Sequence, residues 1–152
     1  MSFVRLPLRF FCFVALFLAA VGSSGATRDA GIVLCLLDGK SGKPIGNEHL
    51  LIFYGTTTDD VHAEKSHRDL RTDVNGMAVL ALEDSLISLL QVFPDGHVLC
   101  QEKPNTNSYS VEQIERTGLS AQNNCGSVRR ANTPYQFVIY ARPATFLEKM
   151  RR

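Results

Sequence analysis

The stretch RTDVNGMAVLAL (residues 71–82) places a turn signal directly before an apolar run. Asp73, Asn75 and Gly76 are residue types that favour tight turns. Short carboxylate and amide side chains bond to the nearby backbone, and glycine adopts a positive φ at no steric cost. The apolar residues that follow predict a strand. We therefore interpret the stretch as a structural corner between two strands.

A calcium loop is the first alternative for Asp73 and Asn75. Such a loop supplies about six to eight oxygen ligands, usually from several acidic residues at alternating positions. Here one carboxylate and one amide precede Gly76, and no glutamate follows at the spacing of an EF-hand. The turn interpretation is favoured, and no metal or other cofactor is predicted.

Residues 1–26 have the pattern of a cleaved signal peptide. Arg5 and Arg9 precede the apolar core FFCFVALFLAAV (residues 10–21), and Ser24 and Ala26 fit a small-x-small cleavage site. The apolar run is short against the roughly 20 residues that a spanning helix needs. We expect a secreted or periplasmic protein with no stable membrane span after cleavage.

The mature chain is expected to be nearly neutral. Removal of 26 of the 152 residues leaves 126, enough for one domain over residues 27–152. The 16 basic residues include Arg5 and Arg9, so 14 basic residues remain against 15 acidic ones. No basic excess favours phosphate backbones, and nucleic acid is not expected as a partner.

Three cysteines remain after cleavage: Cys35, Cys100 and Cys125. An exported chain meets oxidising conditions, which favours one disulfide and one leftover thiol. Cys35 lies in the apolar run GIVLCLL, where a buried thiol is the usual outcome. We expect a Cys100–Cys125 disulfide.

Short apolar runs separated by turn formers predict an all-β fold. One helix is predicted over residues 111–117. Ser110 and Gln113 have the spacing of a capping box, and Tyr109 and Ile114 have the spacing of a hydrophobic staple. Gly118 is placed to end this helix. Many strands and no alternating helices favour an antiparallel sandwich. The predicted strands cover residues 31–37, 49–55, 77–82, 85–93, 97–101 and 136–143.

Two motifs carry a resemblance to a known fold family. The segment LLDGKSGKPI (residues 36–45), followed by RTDVNGMAVLAL, resembles the carboxypeptidase-regulatory-like and transthyretin-like domains. That resemblance implies an Ig-like antiparallel Greek-key sandwich of about seven strands, usually a non-catalytic module. The chain from Tyr109 onward resembles small exported bacterial proteins, a likeness that implies no particular activity.

One branch of the transthyretin-like group hydrolyses hydroxyisourate and carries a histidine three residues before the aspartate of the first motif. Here Cys35 occupies that position, and the terminal Tyr-Arg-Gly-Ser signature of that branch is missing. We therefore expect no enzyme activity. The alternative is a secreted hydrolase with a site that uses His49 or His97, since a sequence cannot exclude a site formed only in three dimensions.

The polar segment over residues 56–69 is predicted to be a long loop and is the candidate binding surface. Asp59, Asp60, His62 and His67 lie in it, but the two histidines are five positions apart with no clear helix, so a zinc site is not favoured. Long loops are often functional, and an edge strand can pair with another chain. We expect contact with another envelope or secreted protein.

Carbohydrate binding is the weaker form of the same hypothesis. The chain contains no tryptophan, which is the strongest stacking residue for sugar rings. Tyr54, Tyr109, Tyr135 and Tyr140 are the aromatic residues that could replace it.

The export hypothesis predicts a defined mature N-terminus. Mass spectrometry of protein recovered from the periplasm or the medium should find a chain that begins near Thr27. Recovery of the full-length chain from the inner membrane would contradict cleavage.

Overall fold

Two β-sheets pack face to face around an apolar core. The computed structural model describes residues 31–82, 87–102 and 107–150, and within them nine strands and three short helices. The predicted signal peptide, residues 1–26, and the start of the strand predicted over residues 85–93 lie outside the described residues. The fold is mostly β, as predicted.

Each sheet draws its strands from distant parts of the chain. The five-stranded sheet has the order β4 (Met77–Leu80), β1 (Ile32–Asp38), β9 (Gln136–Pro143), β6 (His97–Leu99), with β8 (Leu119–Ser120) also paired to β9. The four-stranded sheet has the order β3 (His67–Arg71), β2 (His49–Gly55), β5 (Leu89–Pro94), β7 (Tyr109–Ser110). The helices are α1 (Thr58–His62), α2 (Val111–Thr117) and α3 (Phe146–Lys149).

The sequence of strand β1 is apolar without interruption because both of its faces are buried. Side chains alternate between the two faces of a strand. Ile32, Leu34 and Leu36 point into the core between the sheets and are fully buried. Cys35 and Leu37 point to the other side, where they belong to a second buried cluster. Strand β1 is therefore covered on both faces.

The prediction of an antiparallel fold is wrong for the central pair of the five-stranded sheet. Strands β1 and β9 run parallel, in a register from Val33 opposite Gln136 to Asp38 opposite Ala141. The short β8 is also parallel to β9. Turn signals specify antiparallel pairing only between strands that follow each other closely, whereas these two are the first and last described strands of the chain.

A covering segment, which we define as residues 121–130, lies over the outer face of this pair. The predicted disulfide between Cys100 and Cys125 is present and ties the segment to the end of β6. Val128 of the segment packs against the second cluster, to which Tyr140 of β9 belongs. Cys35 is the free, buried thiol.

Hydrogen bonds of Asn123 fix the covering segment in place. This side chain is 1% exposed. Its amide nitrogen donates to the carbonyls of Gly39 (2.7 Å) and Val128 (3.0 Å), and its Oδ1 accepts from the Cys125 N–H (3.1 Å). A buried amide with these partners is satisfied, so the segment can be buried without an orphaned polar group.

Helix α2 has the predicted bounds. The Ser110 hydroxyl accepts from the Gln113 N–H at 3.3 Å, and Gly118 ends the helix with a φ of 73°. Two further helices were not predicted, and both begin at a threonine N-cap: Thr57 before α1 and Thr145 before α3.

The prediction of a loop over residues 56–69 is wrong. The segment contains α1 and the start of β3. Thr57 caps α1 by accepting from the Asp60 N–H at 3.2 Å, and Val61 is fully buried, so one apolar anchor and one cap stabilise a helix too short for a visible period. His67 begins β3 opposite Phe53 of β2.

Two further differences concern strands. The described residues form nine strands where the resemblance implied about seven. Six of them match the strands predicted from the sequence, and the other three are β3 and the two-residue β7 and β8 that flank α2. Strand β4 has apolar residues on both sides, but Met77 and Val79 face solvent at the edge of the sheet.

The stretch that opens β4 is a tight turn. Asp73 Oδ1 accepts from the N–H groups of Asn75 and Met77, both at 2.8 Å. These backbone donors, that of Met77 first, hold the pKa of Asp73 below its ordinary value. Gly76 has a φ of 72°, and its N–H donates to the Asp73 carbonyl at 3.0 Å. The carboxylate thus serves the turn.

The disulfide predicts a measurable loss of stability. Replacing Cys100 and Cys125 together by serine should lower the free energy of unfolding by about 3 kcal/mol, because the unfolded chain gains the freedom of a loop of 25 residues. Urea denaturation measures this loss, with Cys35→Ala as the control that leaves the bridge intact. Non-reducing peptide mapping should recover the Cys100–Cys125 pair, and a bridge to Cys35 would contradict the structure.

The corner predicts a second loss. Gly76→Val should destabilise the fold by about 1–3 kcal/mol, because a β-branched residue tolerates positive φ poorly. The added Cβ would also lie 2.6 Å from the Leu36 carbonyl oxygen. Thermal unfolding measures the loss, and Asp73→Ala should cost less. A melting temperature raised by calcium, and no longer raised in Asp73→Ala, would instead identify Asp73 as a metal ligand.

Candidate functional site

A groove opens on the outer face of the four-stranded sheet and extends to the turn between β5 and β6. Its volume of about 570 Å³ falls in the usual range of ligand pockets, roughly 300–1,000 Å³. Leu50 and Ile52 of β2 enter the core, so the alternate residues Leu51 and Phe53 face the groove. The floor is apolar and consists of Leu51, Phe53, Phe93, Pro94, Val98 and Leu99.

Aromatic packing fixes the shape of this floor. The Phe53 ring stands edge-to-face against Phe93, with centroids 5.6 Å apart, and against His67 at 6.1 Å. Phe53 is only 7% exposed. Because edge-to-face pairs are favourable beyond their buried area, the floor is formed before any ligand arrives.

The rim of the groove is polar and mostly acidic. Among the groove-lining residues that the structure describes, three are carboxylates, two are histidines and none is Lys or Arg. Two basic side chains of neighbouring segments bond elsewhere: Arg71 donates to the Asn47 carbonyl at 3.1 Å, and Lys65 pairs with Asp60 at 2.9 Å. The rim residues are His49, Glu64, Asp69, Asp95 and His97.

A contact between an imidazole and a carboxylate joins His97 to Glu48 at the edge of the groove. His97 Nδ1 lies 3.0 Å from Glu48 Oε2, and the two side chains are 21% and 12% exposed. The other carboxylate oxygen, Oε1, accepts from the Gly96 N–H at 2.5 Å. Glu48 therefore bonds to the turn that leads into β6 through one oxygen and contacts the imidazole through the other.

Thr72, which directly follows β3, fixes the backbone of Glu48. The Glu48 N–H donates to the Thr72 hydroxyl oxygen at 2.9 Å, and the Thr72 N–H donates to the Glu48 carbonyl at 2.9 Å. The Thr72 hydroxyl also donates to the Ile45 carbonyl at 3.0 Å. Thr72 is buried, so these bonds are shielded from water and position the Glu48 backbone firmly.

His49 belongs to a looser pair on the same rim. Its Nε2 lies 3.7 Å from Asp69 Oδ1, and both side chains are more than half exposed. Exposed pairs of this kind contribute little because water screens them and long side chains lose freedom. The Asp69 carboxylate therefore remains accessible to a ligand.

The His97–Glu48 pair has the chemistry of a general base oriented by a carboxylate. Nucleophilic catalysis also needs an attacking hydroxyl or thiol within reach of the base. None of the described residues that line the groove is Ser, Thr or Cys. Cys35 lies in the other sheet, where burial raises the pKa of its thiol and Gln136 donates to its sulfur at 3.0 Å. Only activated water remains as an attacking group among these residues.

The residues of the predicted binding loop do not come together in one site. Asp60 is occupied within its own segment, where Thr56, Thr57 and Lys65 donate to its carboxylate and hold its pKa well below the usual range. Asp59 and His62 lie on the exposed side of α1, and His67 packs on Phe53. In residues 31–82, 87–102 and 107–150, no group of three His, Cys, Asp or Glu side chains could hold a metal ion.

The sequence did not single out Glu48 or the apolar floor, and Glu64 was noted only as an acidic neighbour of His62 and His67. Glu64 ends the first turn after α1 with a φ of 54°, which points the chain back toward the sheet. The sequence did contain one signal for the floor: HLLIFYG has apolar residues on both faces of the strand. The outer face of a sheet that meets water is commonly polar, so apolar residues there indicate a covered or binding surface. The two histidines of the alternative hypothesis, His49 and His97, do lie at the same groove.

Most tyrosines are committed to packing. Tyr54 and Tyr109 pack against the core, and Tyr140 is buried beneath the covering segment. Tyr135 is 43% exposed and lies outside the groove lining. The groove thus offers phenylalanine and histidine rings rather than the tyrosines expected from the sequence.

Comparison of the chain with models of protein families, with curated proteins and with solved structures finds no match. The likeness to carboxypeptidase-regulatory-like and transthyretin-like domains therefore stays a prediction. In the described part of the chain, no helix is both long enough and apolar enough to cross a membrane.

Proposed function

We propose that this chain is an exported, non-catalytic module that acts by contact with another protein at the cell envelope, and that the groove is its contact surface. We also assign its two-sheet fold to the Ig-like Greek-key type of the carboxypeptidase-regulatory-like and transthyretin-like domains. Secretion or release to the periplasm follows from the proposed signal peptide over residues 1–26.

One observation carries the proposal: the apolar, preformed floor of the groove faces outward. Outer faces of antiparallel sheets are commonly polar, because they meet water. Here Leu51 and Phe93 face outward beside Phe53 in a concave site of about 570 Å³. An apolar concavity with a polar rim is the usual form of a binding site.

Hydrolysis is the second candidate, and the Glu48–His97 pair favours it. Glu48 Oε2 lies 3.0 Å from His97 Nδ1, which leaves Nε2 as the nitrogen that would take a proton from water. Carbohydrate binding is a weaker form of the contact proposal, because three of the four tyrosines belong to packed clusters.

The two candidates make different demands on His97 and Leu51. A tagged mature protein should capture a partner from envelope extract, and Leu51→Thr should lose that partner because it removes apolar surface from the floor. His97→Asn should retain it, since this substitution leaves the apolar floor unchanged. Circular dichroism verifies that both variants fold.

Val79→Thr is the control, because it also replaces an apolar side chain by threonine, at a residue 60% exposed on β4 of the other sheet. Loss of the partner in Val79→Thr alone would move the contact surface to the β4 edge. Turnover in a broad hydrolase screen that disappears in His97→Asn, with no partner captured, would establish the hydrolase instead.

A further inference from the structure

We propose that the groove binds an extended peptide segment of the partner in which Lys or Arg side chains alternate with apolar ones. The inference rests on the proposed contact function and adds the chemistry of the ligand. The groove joins an apolar floor to an acidic rim, and such a segment matches both at once.

The floor determines the apolar part of the ligand. Leu51 and Phe93 lie opposite each other on β2 and β5, and Phe53 lies beside them on the same face. A side chain placed among them loses contact with water, which is favourable in proportion to the apolar area buried. Since residues of an extended chain alternate in direction, every second ligand side chain points at this floor.

The rim determines the charged part. Glu64 is exposed, and no described residue forms an ion pair with its side chain. Asp69 has only the solvent-exposed His49 at 3.7 Å. Both carboxylates are therefore accessible to a cation. The face of an aromatic ring in the floor is a further site that attracts Lys or Arg.

Ligands of the opposite charge do not fit. The described lining has no Lys or Arg to bind phosphate, carboxylate or an anionic membrane surface. An acidic peptide would place like charges beside Glu64 and Asp69, which is unfavourable. Charge complementarity thus selects a basic partner segment over an acidic one.

Isothermal titration calorimetry with capped synthetic peptides tests the inference. A short peptide of alternating lysine and phenylalanine should bind the full mature chain, and its affinity should fall as sodium chloride is raised, since salt screens exposed charges. Replacing its lysines by glutamate should abolish binding. Replacing its phenylalanines by serine should weaken binding at least about tenfold, because the floor is then left without an apolar partner.

Matched variants locate the site. Glu64→Gln and Asp69→Asn should each lower the affinity for the lysine–phenylalanine peptide by about two- to fivefold, as expected for the loss of one exposed charge. Glu112→Gln, the same substitution at an exposed residue of α2 away from the groove, should have no effect. Leu51→Thr should weaken binding more than Val79→Thr. Equal losses of peptide affinity in Glu64→Gln and Glu112→Gln would show that the peptide does not bind in the groove.

The outcomes separate this inference from the proposed function. If an acidic or a neutral peptide binds as tightly as the basic one and Leu51→Thr still weakens it, the ligand class is overturned while the contact function stands. If no peptide binds and the envelope partner is retained by Leu51→Thr, both are overturned. Peptide cleavage that His97→Asn abolishes would replace contact by hydrolysis.

Discussion

The parallel contact between β1 and β9 is the interaction on which the rest of the structure depends. These two strands form the centre of the five-stranded sheet, with β4 on one side and β6 on the other. One face of the pair supplies the core shared with the second sheet. The other face is equally apolar and would be unfavourable in water. The covering segment meets that demand, and the Cys100–Cys125 disulfide holds it over the strands.

A chain of hydrogen bonds connects the corner of the fold to the groove. Thr72 follows β3 and precedes the tight turn, and its hydroxyl and N–H bind the backbone of Glu48. The Glu48 carboxylate then accepts from the Gly96 N–H and lies 3.0 Å from His97 Nδ1. The turn into β6 is thus positioned by Thr72 and Glu48, which lie near the tight turn before β4. The groove keeps its shape because its rim is tied to buried, shielded backbone bonds.

Local sequence signals predicted those elements that depend on neighbouring residues. The cap at Ser110 and the stop at Gly118 predicted α2, and the apolar run with β-formers predicted β2. Helix α1 was missed because a five-residue helix has no readable period and depends on the burial of Val61. The parallel pairing of β1 with β9 and the meeting of Glu48 with His97 join residues far apart in sequence. Such contacts are fixed by tertiary packing, so neither the pairing nor the groove could be derived from spacing.

The order in which the strands emerge during synthesis follows from the β1–β9 pairing. Of the strands that the structure describes, β1 leaves the ribosome first, apolar on both faces, while its central neighbour β9 appears last. Pairing across so long a sequence separation is slow. Cys100 and Cys125 both precede β9, so their bridge can close on a nascent chain that still lacks its central strand. Until β9 docks, β1 lacks its central neighbour, and an apolar strand with an unpaired edge is the type of segment through which nascent chains aggregate.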